Sequence, residues 1–258
     1  GTFTDQGFIN SHYLTAGAQV FAATGYVYGA TPTGGYHQNV GIDNNQSTGE
    51  QGPCVTCHMG IGTADHTWEV VSHDAGGNVD AILSNACVNC HADLTPADLN
   101  NAKGDVEDAI VELHDALAAV GVYYSSGYPY FYADAAGTTA LKNWDAIVVN
   151  GLSGQGKDVM GAAYNYNMIA HDPGAYAHNI QYALGLIAQS IDFLNGDTLS
   201  VPQVVLDAQA ARTADHAGGG GATIVNASES NTCGACHEDT YSEWYTSAKA
   251  NEDWDYGR

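Results

Sequence analysis

All six cysteines of this 258-residue chain fall into three copies of one five-residue motif. The copies are CVTCH (54–58), CVNCH (87–91) and CGACH (233–237), and no cysteine is left over. C-x-x-C-H is the attachment signature of haem c. Its chemistry sets its spacing: two thiols add across the two vinyl groups of one porphyrin, and the next residue turns its imidazole onto the iron. The expected thioether residues are therefore Cys54, Cys57, Cys87, Cys90, Cys233 and Cys236, and the proximal iron ligands are His58, His91 and His237. Competing chemistries fit less of the pattern. Two C-x-x-C pairs could share a zinc ion through four thiolates, but that leaves the third pair unmatched and every following histidine unexplained. A redox C-x-x-C usually occurs once, inside a βαβ pattern that is absent here. Three covalent haems c are the expectation, and with them an exported chain. Gly1 in place of Met, with no basic-plus-apolar leader, adds the expectation that a signal segment has been removed.

A six-coordinate haem needs a second axial ligand. Eleven histidines minus three proximal ones leave eight: His12, His37, His66, His73, His114, His171, His178 and His216. Bis-histidine ligation of all three irons is thus possible. Two strong axial ligands favour electron transfer, whereas an open position permits substrate chemistry. His66 follows His58 by eight residues, beside Trp68. His37 lies upstream of the first motif, and His12 has no motif close in sequence. His178 falls in DPGAYAHNIQYALGLIAQSIDFL, where Asp172 reads as a helix N-cap and Pro173 as the first helical residue. Ile180, Leu184, Ile187, Ile191 and Leu194 form one apolar stripe of that helix. His178, Tyr182, Gly185 and Gln189 lie on another face, which could lean on a porphyrin. His114 borders the stripe Val106, Ile110, Leu113, Leu117 and Val120, and reads as a partly exposed helix residue. His73, His171 and His216 each sit by an acid at a turn, where hydrogen bonding explains them.

The fold expectation is a mainly α chain with extensive loops and little β, its core built around covalent haems in a single domain over residues 1–258. Residues 1–53 read as a loop-rich arm with one short helix around 12–24. Residues 54–103 hold two haems, residues 104–196 are helical, residues 197–230 connect, and residues 231–258 hold the third haem and a final helix. Within the helical part, 104–121 is one helix, 122–137 an aromatic loop, and breaks fall at Gly151–Gly156 and Asp172–Pro173. Strand signals are confined to TWEVVS (67–72) and ATIV (222–225).

Beyond the haem motifs, most of the chain resembles the multihaem c-type cytochromes of metal-respiring bacteria. The resemblance is carried by HYLTAGAQVF, YHQNVG, GPCVTCHM and HTWEVV, by ACVNCHADLTPADL and GVYY, and by AAYNYNMIAHDPGAYAHNIQYALGLIAQSIDFL. It implies haem ligation by His12, His37, His66 and His178, one more than three haems need. The third motif departs from the pattern. CGACHEDTYSEWYTSAKA carries Lys249 where the resemblance puts a histidine, and an amine with a reference pKa near 10.4 ligates iron only after costly deprotonation. Related extracellular cytochromes polymerise into filaments, in which a histidine near one subunit's N-terminus resembles the ligand of a haem in the next. His12 without a local haem, and a last haem without a downstream histidine, fit such a head-to-tail arrangement.

Charge narrows the partners. Six Lys and Arg against 29 Asp and Glu give a formal net charge of −23. Nucleic acid and anionic membrane surfaces reward clustered Lys and Arg, so neither is an expected partner. A reductase acting on small oxyanions also wants basic residues to hold its substrate, so no catalytic residue is expected. No window of about 20 apolar residues occurs, so no membrane span is expected. The expected partners are copies of the same chain, redox proteins and extracellular electron acceptors. A monomeric periplasmic shuttle with every ligand in cis is the alternative.

Overall fold

The structure, a computed structural model, describes residues 1–11, 15–32, 36–41, 52–59 and 68–196. His12, His66, His216, the third motif, Lys249 and the ATIV segment lie outside the described residues. The fold is mainly helical with little strand. It divides into two compact units, one of Gly1–Gln38 and Ala97–Gly220, the other of Asn39–Pro96 and Gly221–Arg258.

The first unit contains α1 (Ala16–Val20), most of a long helix α4 (Pro96–Ala119), and three further helices α5 (Gly156–Ala170), α6 (Ala175–His178) and α7 (Ile180–Asn195). Helix α4 begins earlier than the 104–121 expected. Pro96, whose fixed φ suits the first turn, opens it, and Asp98 complements the positive end of the dipole. Its buried face runs Ala102, Val106, Ala109, Leu113, Ala116 in steps of three and four, with Leu117 four residues after Leu113, which keeps one stripe on the core. Ile110 and Val120 flank that stripe, half-buried. The helix stops at Gly121, which takes φ +86°. The Gly121 N–H donates to the Ala118 carbonyl at 2.9 Å, and the Val122 N–H donates to Leu117 at 2.9 Å. That pairing satisfies carbonyls the helix end would otherwise leave without partners.

Helices α5 and α7 pack on each other and are buried on most sides. Their own Met168 and Ile187, and Leu113, Leu117, Phe131 and Trp144 from elsewhere in the unit, are each under 2% exposed. The expected aromatic loop at 122–137 contains a short antiparallel hairpin, β3 (Tyr123–Tyr124) with β4 (Phe131–Tyr132). Residues 24–30 have no regular structure, yet side chains from α5 and α7 satisfy their backbone. The Tyr26 N–H donates to Asn165 Oδ1 at 2.7 Å, and Asn165 Nδ2 donates back to the Tyr26 carbonyl at 2.8 Å. The Gly25 N–H donates to the Tyr182 hydroxyl at 2.8 Å, and Gln189 Nε2 donates to the Ala30 carbonyl at 2.7 Å. The face that carries Tyr182 and Gln189 is engaged with protein. It holds the N-terminal strap, because an irregular segment needs partners for its backbone polar groups.

Tyr166, on α5, is edge-on to Tyr124 at 4.8 Å. Burial, helped by Tyr124, pushes its hydroxyl up to about 12. Burial and the Asp158 carboxylate, which accepts its hydrogen bond, push Tyr26 up to about 12 as well. In the unfolded chain both titrate near 10. Between pH 10 and 12 the unfolded state therefore binds fewer protons than the folded one, and stability falls with rising pH. The stability from this source is fully present below pH 10. Denaturant titrations across pH 9–12 should show that loss, and Tyr166→Phe should make the slope shallower.

The second unit carries α2 (Gly52–His58), the hairpin β1 (Val71–His73) with β2 (Val79–Ile82), and α3 (Asn85–Cys90). The pairing is antiparallel with an irregularity between Ser72 and His73. Among its described residues only Pro53 and Val79 bury apolar side chains. The strand expected from residue 67 starts at Val71 instead. Trp68 is left-handed, with φ +63°, so the chain turns there rather than extending.

Candidate haem-binding site

Each described C-x-x-C-H motif forms the same local object. In α2, Cys54 and Cys57 stand three residues apart on one short helix that ends in His58. In α3, Cys87 and Cys90 do the same, and His91 is the C-cap. Residues three apart share a helix face, so each helix presents two sulfurs together with an imidazole just beyond them. None of these four cysteines forms a disulfide. Helices α2 and α3 pack on each other. Burial pushes the Cys57 thiol up to about 12, with further contributions from Cys87, Cys54 and Cys90. Burial likewise raises Cys87. The two motifs are therefore neighbours, as the short spacing between them suggests.

These features separate the three chemistries open to C-x-x-C pairs. Reactive thiols carry a lowered pKa, and burial moves Cys57 and Cys87 the other way, so neither of these two is activated as a nucleophile. A zinc site needs converging ligands, and no group of three His, Cys, Asp or Glu suited to a metal ion occurs among the described residues. Thioether attachment needs neither, because the sulfur becomes neutral and apolar. The residues fit haem c.

The histidines add a second test. A metal-bound histidine usually donates its other ring N–H to a carbonyl or carboxylate, which fixes the tautomer and the ring plane. His58 donates from Nδ1 to the Trp68 carbonyl at 2.7 Å, which is what the left-handed turn at Trp68 achieves. His37, in a 3-10 turn over Tyr36–Asn39, donates from Nδ1 to the Ala177 carbonyl at 2.7 Å. His178 donates from Nδ1 to both Asp172 oxygens, at 2.9 and 2.8 Å. In each ring the lone pair then belongs to Nε2. The structure also brings two expected distal ligands together, since His37 bonds the residue that precedes His178. His171 donates to the Asn167 carbonyl of its own helix at 2.7 Å, and His114 to Asp115 at 3.0 Å. His114 is a partly exposed helix residue, as expected. His73 is exposed on β1.

The end of α5 corrects one reading and exposes a missed one. Asp172 does not cap a long helix begun by Pro173. Gly174 precedes the one-turn α6, Asn179 breaks the chain, and Asn179 Oδ1 then caps α7 by accepting from the Tyr182 N–H at 3.3 Å. Asp172 accepts from the Gly174 N–H at 3.1 Å but also pairs with His178. The acid six residues ahead of His178 was the available signal.

Two helical motif sites side by side define a c-type cytochrome built for several haems, and the chain belongs with the multihaem c-type cytochromes of metal-respiring bacteria. It is similar to "C-type polyheme cytochrome OmcC" of Geobacter sulfurreducens, at 40% identity over 206 residues, 73% of this chain and 26% of that protein. It is also similar to "C-type polyheme cytochrome OmcB" of the same species, at 39% over 226 residues, 80% of this chain and 30% of that one. The chain thus spans less than a third of the length of these relatives. No family profile and no solved structure matches it. Among the described residues no helix is long and apolar enough to cross a membrane.

Proposed function

We propose that this chain moves electrons, outside the cytoplasm, through three covalently held haems c, each with two histidine ligands, and that it catalyses no substrate conversion of its own. The observation that carries the reading is the repeated motif helix, with its two sulfurs, its following histidine and, at His58, a carbonyl fixing the ring. Bound haem supplies one-electron iron chemistry. The chain attaches it through Cys54, Cys57, Cys87, Cys90, Cys233 and Cys236, and holds the irons from one side with His58, His91 and His237. His12, His37, His66 and His178 are the candidates for the other side. Two strong ligands per iron leave no position for a substrate, and six basic residues offer little to bind an oxyanion.

In this reading the third haem takes its second ligand from another copy of the chain. Lys249 in place of histidine and His12 without a nearby motif support it. Head-to-tail ligation of this kind propagates into a filament unless it closes into a ring. Redox proteins and extracellular acceptors are the onward partners. The test is the secreted, haem-loaded protein. Intact mass should give three haems per chain, and electron paramagnetic resonance should show them all low-spin. His178→Ala should convert one haem to high-spin. His12→Ala should abolish fibres and leave one haem high-spin. Fewer than three haems, or a high-spin haem in the intact assembly, overturns the electron-transfer reading. A wild-type monomer with three low-spin haems overturns only the filament.

A further inference from the structure

His178 is held more closely than hydrogen bonding on a protein surface demands. Its Nδ1 reaches both oxygens of Asp172, at 2.9 and 2.8 Å. The Asp172 side chain is 1% exposed, and among the described residues no Lys or Arg pairs with it. A buried carboxylate needs a compensating partner, and His178 is that partner. The ring also lies close over Gly174. A Cβ at that position would stand 2.6 Å from His178 Cε1 and 3.1 Å from both ring nitrogens. Any side chain there would turn the imidazole off the carboxylate.

His37 and His58 differ in one respect, since a neutral carbonyl receives their Nδ1 protons. A carboxylate draws the proton harder. It makes the ring more imidazolate-like and a stronger donor through Nε2, and its own buried charge favours the higher oxidation state of a nearby metal. Outer-shell partners of this kind typically change metal-site properties 10–100-fold.

We propose that Asp172 is a positioning residue that fixes the tautomer of His178 and lowers the reduction potential of the haem His178 ligates, with Gly174 leaving the space this requires. The proposal rests on the reading of His178 as an iron ligand. It assigns the chain a lowered-potential site through a residue that never touches the iron.

The test compares His178→Ala, Asp172→Asn and Gly174→Ala in the haem-loaded full chain. The readouts are a potentiometric titration and the low-spin resonance g-values. Asp172→Asn keeps an acceptor for the Gly174 N–H and removes only the charge. It should leave every haem low-spin and shift one haem's reduced-to-oxidised ratio at fixed potential roughly tenfold toward reduced, about 59 mV for one electron. Gly174→Ala should move the same haem in the same direction, and it carries the test if Asp172→Asn does not accumulate. If His178→Ala turns one haem high-spin but the other two variants titrate like the wild type, the role of Asp172 is wrong and ligation by His178 stands. If His178→Ala leaves all haems low-spin, ligation by His178 fails and the proposal falls with it.

Discussion

Cys54→Ser with Cys57→Ser should cost the protein one whole haem and the fold of the unit that holds it. Intact mass should fall by one haem per chain. The second loss follows from packing. Among the described residues of the Asn39–Pro96 segment, Pro53 and Val79 alone bury apolar side chains. So few buried apolar side chains among the described residues leave much of their cohesion to the haem, as a crosslink and as a metal. Two thioethers and an iron–histidine bond supply both. Because α2 packs on α3, the damage should reach the site at Cys87–His91. The double variant should show altered resonance from the neighbouring haem and no cooperative melting of this unit by circular dichroism. Unchanged melting with one haem missing would mean that the polypeptide alone holds the unit.

Trp144→Ala should be the most destabilising single change in the other unit. Trp144 is 1% exposed and edge-on to Phe131 at 5.8 Å. Its Nε1 donates to the Gln6 carbonyl at 2.7 Å, and its backbone N–H donates to the Phe3 carbonyl at 2.8 Å. Removing a buried indole costs about 3–5 kcal/mol through lost transfer energy and the cavity left behind. For a unit of this size that is on the order of 10 °C in Tm. Trp144→Phe restores most of the packing but leaves the Gln6 carbonyl without its donor, and should cost about 1–3 kcal/mol. Denaturant unfolding measures both, and limited proteolysis should show residues 1–11 cleaved earlier in the alanine variant. Equal stability of the two variants would show that the hydrogen bond, not the ring, anchors the arm.

The two described haem motifs were legible because covalent chemistry admits little freedom: C-x-x-C-H needs one helical turn and a following ligand, and α2 and α3 are that turn. The stripe of α4 was legible from Val106, Leu113 and Leu117, since helical period and burial agree there. Its start was not, because Pro96 reads as a breaker unless it is placed in the first turn. Tyr182 and Gln189 gave the opposite error. Their positions mark a separate face of α7, but nothing periodic in residues 24–30 shows that this face serves a strap about 160 residues away. Such side-chain-to-backbone bonds leave no local signature. The turn at Trp68 was hidden for a similar reason. TWEVVS has strand composition, and the need of His58 for a carbonyl overrides it. His37 and His178 were named as ligands from resemblance, while the Asp172 carboxylate behind His178 emerged only from three-dimensional contact.

The strap also sets an order of events in the making of the molecule. Residues 24–30 are synthesised early, but Asn165, Tyr182 and Gln189 follow some 140 to 160 residues later. At ribosomal speeds of about 5–20 residues per second, that wait is on the order of 10 s. The unit formed by Gly1–Gln38 and Ala97–Gly220 cannot close before then. The segment carrying Cys54 to His91 emerges inside that interval. The same order holds wherever the chain is threaded N-terminus first, so the thiols of Cys54 to Cys90 are presented before the residues that close the larger unit, and pairing across so long a loop is slow.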